Sequence, residues 1–209
     1  MVKNAAGFDY PKLLCGSMGA LGVLVETTFK VFPRPRRTCT LELSLPDLSC
    51  AVDKIREITL SKWEPDALEL LPHTHQILLR LAGNPDALEA RMPAILDNLQ
   101  DCAPRQLPDD QADARWAELQ AFRWADDSEW LLKVPTTPAH IEALDILARR
   151  LGVQHHYAMA GNLAWLAGSG EAVLAQLSSH MEENALAGML FRGTLDKTAY
   201  GAHPRYAVH

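Results

Sequence analysis

The chain has 209 residues, 48% of them hydrophobic, and a formal charge of −6 from 20 Lys and Arg against 26 Asp and Glu. That is enough to bury one ordinary domain plus a smaller piece, while the lack of a basic stripe argues against a nucleic-acid partner. No apolar run approaches the roughly 20 residues of a membrane-crossing helix, and Met1-Val2-Lys3-Asn4 lacks the apolar stretch of a secretory signal, so the expected compartment is the cytoplasm.

Residues 1–22 read as loop and short helix, with glycines at 7, 16, 19 and 22 and a Tyr10-Pro11 break. Residues 23–32, VLVETTFKVF, then predict a strand with Val23, Val25, Thr27, Phe29 and Val31 on one face. Pro33-Arg34-Pro35-Arg36-Arg37 ends it, because proline removes ladder donors. The domain boundary is expected here, giving domains 1–35 and 36–209.

Beyond the boundary, residues 38–45 predict a strand, and Asp47 or Ser49 caps a helix carrying Leu48, Val52, Ile55 and Ile58. Strands at 67–71 and 76–82 follow across a Pro-His turn. Asn84-Pro85 opens a helix with Leu88, Met92, Ile95 and Leu99 inward. A polar, proline-punctuated loop covers 100–113, and a short helix covers 114–122. The order then repeats: a strand at 129–134, a helix from Thr137-Pro138 carrying Ile141, Leu144 and Leu147 to a left-handed cap at Gly152, strands at 154–159 and 163–167, a helix at 170–183, and a strand at 188–192.

The segment LLRLAGNPDALEA at 78–90 aligns without gaps to LAWLAGSGEAVLA at 163–175, matching Leu78, Leu81, Ala82, Gly83, Ala87 and Ala90. The expected fold class is therefore α+β: one antiparallel sheet from two ferredoxin-like βαββαβ halves, with helices on one face.

Several side chains admit a chemical and a structural reading. Gly16, Gly19 and Gly22 lack the G-x-G-x-x-G spacing of a dinucleotide fold and alone indicate a bulged strand entry. Asp9, before Tyr10-Pro11, forms a turn or bonds a ligand. His73 and His75 alternate along an expected strand, and His155 and His156 precede Ala160-Gly161-Asn162-Leu163. Arg34, Arg36 and Arg37 form either an anion clamp or a solvated edge. Trp116, Trp124, Trp130 and Trp165 line a pocket or anchor a core or interface. Cys15, Cys39, Cys50 and Cys102 include no C-x-x-C pair, which excludes a zinc ribbon and leaves buried, inert thiols as the expectation.

The stretch from Lys3 to Pro35 carries a more specific pattern. A K-N-x-[AT]-G-[YF]-D element is followed by L-x-x-G-S-x-G-T-L-G-[IV]-[IVL]-x-E and a strand ending in proline. Lys3, Asn4, Gly7, Phe8, Asp9, Leu13, Gly16, Ser17, Gly19, Leu21, Gly22, Val23 and Glu26 match. The pattern resembles the FAD-linked 2-hydroxy-acid oxidase/dehydrogenase family, of the vanillyl-alcohol-oxidase (PCMH-type) fold. Met18, where catalytic subunits usually carry Glu, is similar to the glycolate-oxidase FAD-binding subunits; Ala20 replaces the common Thr.

The resemblance implies that residues 1–35 are the tail end of a PCMH-type FAD-binding domain and 36–209 the substrate-side domain. It implies FAD as cofactor, held by Asn4, Gly7, Asp9, Gly16, Ser17, Gly19, Gly22 and Val23, where glycines admit the backbone close to a flat ring or phosphate. It also implies oxidation of a 2-hydroxy acid such as glycolate, and a catalytic flavoprotein subunit and an iron–sulfur subunit as partners. Such a complex would be the chain's route to the inner-membrane surface. Relatives carry an Arg-Gly-Gly-Gly pyrophosphate loop upstream and an F-D-P-x-x-x-x-N-P-G element at the end, so the chain is expected to be truncated at both ends. Ala160-Gly161-Asn162-Leu163 is similar to the family's H-A-G-D-G-N-L-H motif. Met159 and Trp165 stand near its histidines and its acidic residue is missing, so neither a metal site nor a catalytic side chain is expected. The alternative function is a non-catalytic interaction module.

Overall fold

The computed structural model describes residues 10–15, 17, 21–31, 33–193 and 199–201. The chain divides between Arg34 and Pro35 into two units. In the first, helix α1 covers Tyr10–Leu14. The strand expected at 23–32 does not form over its described residues 23–31: they make no ladder, and Val23, Val25, Phe29 and Val31 are 88%, 94%, 78% and 79% exposed. β-propensity measures fitness for a pleated, half-buried surface, and among the described residues this stretch pairs with no strand that would supply one.

The second unit is α+β. Its strands are β1 (Arg37–Ser44), β2 (Ala67–Leu71), β3 (Gln76–Gly83), β4 (Arg105–Gln106), β5 (Trp130–Pro135), β6 (Gln154–Ala158), β7 (Leu163–Gly168), β8 (Ala187–Arg192) and β9 (Ala199–Gly201). Its helices are α2 (Leu48–Leu60), α3 (Pro85–Asn98), α4 (Asp109–Gln120), α5 (Ile141–Leu151) and α6 (Glu171–Glu183). The strands form one sheet in the order β4-β1-β3-β2-β6-β7-β5-β8-β9, with antiparallel neighbours throughout.

Local chemistry sets the boundaries. Asp47, of the two candidate caps, accepts from Cys50 N at 2.8 Å at the start of α2. Asn84 accepts from Asp86 N at 3.0 Å ahead of Pro85 in α3. Gly152 closes α5 at φ +67°, and Met159, at φ +54°, turns the chain out of β6 one residue before the expected end. The helix expected at 114–122 begins earlier, at Asp109, where Asp109 and Asp110 suit the positive end of the helix dipole.

Successive strand residues point to opposite faces. On one face, Leu41, Leu43, Leu70, Leu79, Leu132 and Leu166 pack against the apolar stripes of α2, α3, α5 and α6 as the main core. The expectation of helices on one face alone is corrected by α4. Its Ala112, Trp116 and Leu119 pack on Leu78 and Leu107, and Leu78 lies between Ile77 and Leu79, which both belong to the main core. The half-sheet around β3 is apolar on both sides, and α4 covers its second side.

Candidate functional site

Of the residues implied to hold a cofactor, Asn4, Gly7, Asp9, Gly16 and Gly19 lie outside the described residues. Ser17 donates its backbone N–H to Leu14 O at 3.1 Å, just after α1. Among the described residues, a β-carbon added at Gly22 would meet nothing within 4 Å, and Val23 is exposed.

In the second unit, the functional groups gather on the sheet face that α4 only partly covers. Glu69 of β2 accepts from His156 Nε2 of β6 at 2.9 Å, and both side chains are largely withdrawn from solvent. Arg80 of β3 is held by Asp66 at 2.6 Å, and its guanidinium lies 4.8 Å from the Trp116 ring centre. Trp116 Nε1 in turn donates to Thr40 Oγ1 at 3.0 Å in a buried bond. Phe122 packs edge-on to Trp165 at 4.6 Å, Trp165 meets Phe191 at 5.2 Å, and Lys133 Nζ stands 5.9 Å from the Trp165 ring. Glu69, Arg80, Phe122, His156 and Trp165 line a cleft of about 320 Å³. It combines a carboxylate, a cation and aromatic walls, a mix that orients a small ligand by few polar contacts.

A neighbouring cleft of about 400 Å³ shares His156 and Leu119 and adds His73, Arg115, Trp124 and His155. Its histidines are anchored differently. His155 is fully buried, with Nε2 at 2.8 Å from Asp145 Oδ1 and Nδ1 at 3.1 Å from Val153 O. Asp145 also accepts from Arg149 Nε at 2.7 Å, and Arg149 donates to Pro72 O at 2.8 Å, tying α5 to the β2–β3 connection. Burial alone would raise the Asp145 carboxyl, but bonds from His155 and Arg149 outweigh it and hold it below its usual range. His73 stacks edge-on to His155 at 4.8 Å. Burial first, then neighbouring His155 and Arg149, lowers its pKa.

The remaining candidates resolve one by one. His73 and His75 sit in the turn between β2 and β3 rather than along a strand, with His75 at φ +52°. Arg37 pairs with Asp109 at 2.7 Å, and Arg36 and Arg37 share a recess with Arg80, Asp109 and Asp113, so the acids answer the bases there. Met159 is exposed at the β6–β7 turn, where Ala160 N donates to Leu68 O at 2.9 Å. Trp130 is core, donating to Gly170 O at 3.3 Å. Cys39 and Cys102 are buried as expected, but Cys15 and Cys50 are exposed; Cys50 lies in the first turn of α2, outside its apolar stripe. Burial first, then a bond to Asp101, pushes the Cys102 thiol up to about 11. Among the described residues, no group of three or more His, Cys, Asp or Glu is placed to hold a metal.

Sequence reasoning did not reach Glu69 or Asp145. Asp145 carried a signal: it stands beside Leu144 in the stripe of Ile141, Leu144 and Ala148, and a carboxylate on an apolar stripe calls for a buried partner. Glu69 alternates between Leu68 and Leu70 like any outward-facing strand residue, and nothing local announces His156.

No family model matches the chain. It is similar to glycolate oxidase subunit GlcE of Escherichia coli, 36% identical over 95 residues, covering 43% of this chain and 25% of that protein. It is also similar to glycolate oxidase subunit GlcD of Bacillus subtilis, 25% identical over 152 residues, covering 71% of this chain and 32% of that protein. A D-lactate dehydrogenase of Archaeoglobus fulgidus is 33% identical over 70 residues, covering 34% of this chain and 16% of that protein. The chain thus spans about a quarter to a third of the length of the two glycolate oxidase subunits. The chain is thus similar, over part of its length, to glycolate oxidase subunits and to a D-lactate dehydrogenase.

Proposed function

We propose that the chain serves as an FAD-binding subunit, or part of one, in a glycolate-oxidase-like complex that oxidises 2-hydroxy acids such as glycolate to 2-oxo acids. The observation that carries this reading is the 36% identity to glycolate oxidase subunit GlcE. The flavin supplies the redox chemistry, as hydride acceptor. The protein's share is binding and orientation.

On this reading, residues 1–35 complete a PCMH-type flavin domain, and Asn4, Gly7, Asp9, Gly16, Ser17, Gly19, Gly22 and Val23 approach FAD. The open backbone at Gly22 and Val23 fits a flat group lying against it. Residues 36–209 form the substrate-side domain, built of two ferredoxin-like halves. Two matching strand orders support that assignment: β4-β1-β3-β2 in one half and β8-β5-β7-β6 in the other. The partners are a catalytic flavoprotein subunit and an iron–sulfur subunit. The complex works in the cytoplasm, at the inner-membrane surface.

The test is a visible absorption spectrum and FAD titration of the purified chain, alone and coexpressed with the two partner subunits. Flavin bands that bleach on adding glycolate support the proposal. No flavin under either condition overturns it, and leaves an interaction module as the better account.

A further inference from the structure

Residues 72–75 join β2 to β3, and two contacts hold the start of this turn against the rest of the second unit. Arg149 of α5 donates to Pro72 O at 2.8 Å, and the His73 ring stands edge-on to His155 of β6, centroids 4.8 Å apart. The far end is fixed separately, by Leu45 N donating to His75 O at 3.1 Å. Between these points the turn binds itself weakly: Thr74 N and Thr74 Oγ1 reach Leu71 O at only 3.3 Å and 3.4 Å. Leu71, His73 and Thr74 line the cleft of about 400 Å³.

The charges around His73 leave no counterion for it. Asp145 has both oxygens engaged, Oδ1 at 2.8 Å from His155 Nε2 and Oδ2 accepting from Arg149 Nε at 2.7 Å. On the other cleft walls, Glu118 of α4 faces Arg115 at 3.3 Å and His156 Nε2 faces Glu69 at 2.9 Å. His75 of the same turn has Asp47 near it. His73 reaches solvent, so it can take up a proton, but that proton meets the Arg149 guanidinium with no uncommitted carboxylate among the described residues of the cluster. The closed turn resists it accordingly: burial first, then His155 and Arg149, lower the His73 pKa, with Asp145 opposing them.

We propose that the β2–β3 turn is an acid-released flap: a proton on His73 parts it from His155 and Arg149, frees Pro72 O, and swings residues 72–74 off the cleft. In the open form the charged ring gains hydration and distance from Arg149. In the closed form the neutral ring keeps its stacking partner, and Arg149 keeps its carbonyl. Away from these neighbours His73 returns to its ordinary range, so the proton binds the open form more tightly. By linkage, the open population rises as pH falls below 6.5. The device uses only side chains of the second unit.

The experiment follows the ¹⁵N-labelled full chain from about pH 7.5 to about pH 5.5, the range in which histidine titrates. It reads the His73 ring through its Hε1 proton and the backbone through heteronuclear NOEs. The His73 ring is expected to titrate with a midpoint below 6.5. At the same midpoint the His73 and Thr74 amides should lose about a third of their NOE, the difference between rigid and flexible backbone, while β3 and α5 keep theirs. His73→Phe retains an aromatic ring that cannot charge, and its turn should stay rigid across the range. Three results would overturn the proposal: turn NOEs that hold while His73 titrates, a His73 ring still neutral at the acid end, or a loss of NOE that persists in His73→Phe. The first two are read on the wild type, so they stand even if the variant folds poorly.

Discussion

His155 Nε2 lies 2.8 Å from Asp145 Oδ1, and this contact joins strand β6 to helix α5. Removing one member of a buried, bonded pair leaves the other uncompensated. Asp145→Asn is therefore expected to lower stability by about 3 kcal/mol, read as a lower urea midpoint at pH 7 with unchanged slope. The acid limb should change too. The Asp145 pKa is lowered from 3.8 in the fold, so its contribution is complete above the unfolded value and lost as pH falls through the folded one. The variant's stability should fall less steeply than the wild type's below pH 3.8.

His73 predicts an effect in a milder range. Burial first, then neighbouring His155 and Arg149, depresses its pKa below 6.5, so the fold prefers the neutral ring. Its contribution is full above pH 6.5 and lost as pH falls through the depressed folded value. Between pH 7.5 and 5.5, His73→Phe should lose less melting temperature than the wild type. Parallel losses would show that His73 does not contribute to this dependence.

Trp116 pins α4 to the sheet through its bond to Thr40 Oγ1. Trp116→Phe leaves that buried hydroxyl without its donor and should cost about 1–2 kcal/mol. Combined with Thr40→Val, the loss should fall short of the sum of the single changes, since both remove one bond. Strict additivity in denaturant melts would argue against the bond.

Two glycines should fail for different reasons. At Gly168 a β-carbon would stand 2.7 Å from Cζ2 of the buried Trp130, and Gly168→Ala should cost about 1–3 kcal/mol through overpacking. At Gly152 a β-carbon meets nothing, yet φ is +67°, so Gly152→Ala should cost about 1 kcal/mol through backbone strain alone. Calorimetry that ranks them the other way would contradict the packing around Trp130.

Gly22→Val tests the flavin assignment. Among the described residues the β-carbon meets no atom within 4 Å, so circular dichroism should be unchanged while FAD retention by the coexpressed complex falls at least tenfold. Full retention would remove Gly22 from the binding residues.

Regular alternation and helical spacing made the second unit readable before its structure. Leu41 and Leu43, Ile77 and Leu79, and Ile141 with Leu144 all point where their periods say. Asp47 and Gly152 end their elements by side-chain and backbone chemistry visible in four or five letters. What escaped was non-local. The stretch from Val23 to Val31 has the composition of a strand, but pairing depends on a neighbour that composition does not report. The placement of α4 follows from Leu78 needing cover, a demand visible only once β3 is known to be apolar on both faces. Glu69 and His156 are 87 residues apart and meet because β2 and β6 are adjacent. Of the residues that the motif implies for a flavin, the structure describes Ser17, Gly22 and Val23.

The ladder between the two halves of the sheet holds one residue pair, Leu70 with Tyr157. Separated there, β2 and β6 would each become a bare rim of unpaired amides and carbonyls, an invitation to any passing strand. Each half thus shields the other from aggregation, and a polypeptide cut near residue 125 would be expected either to reassemble with its complement or to precipitate.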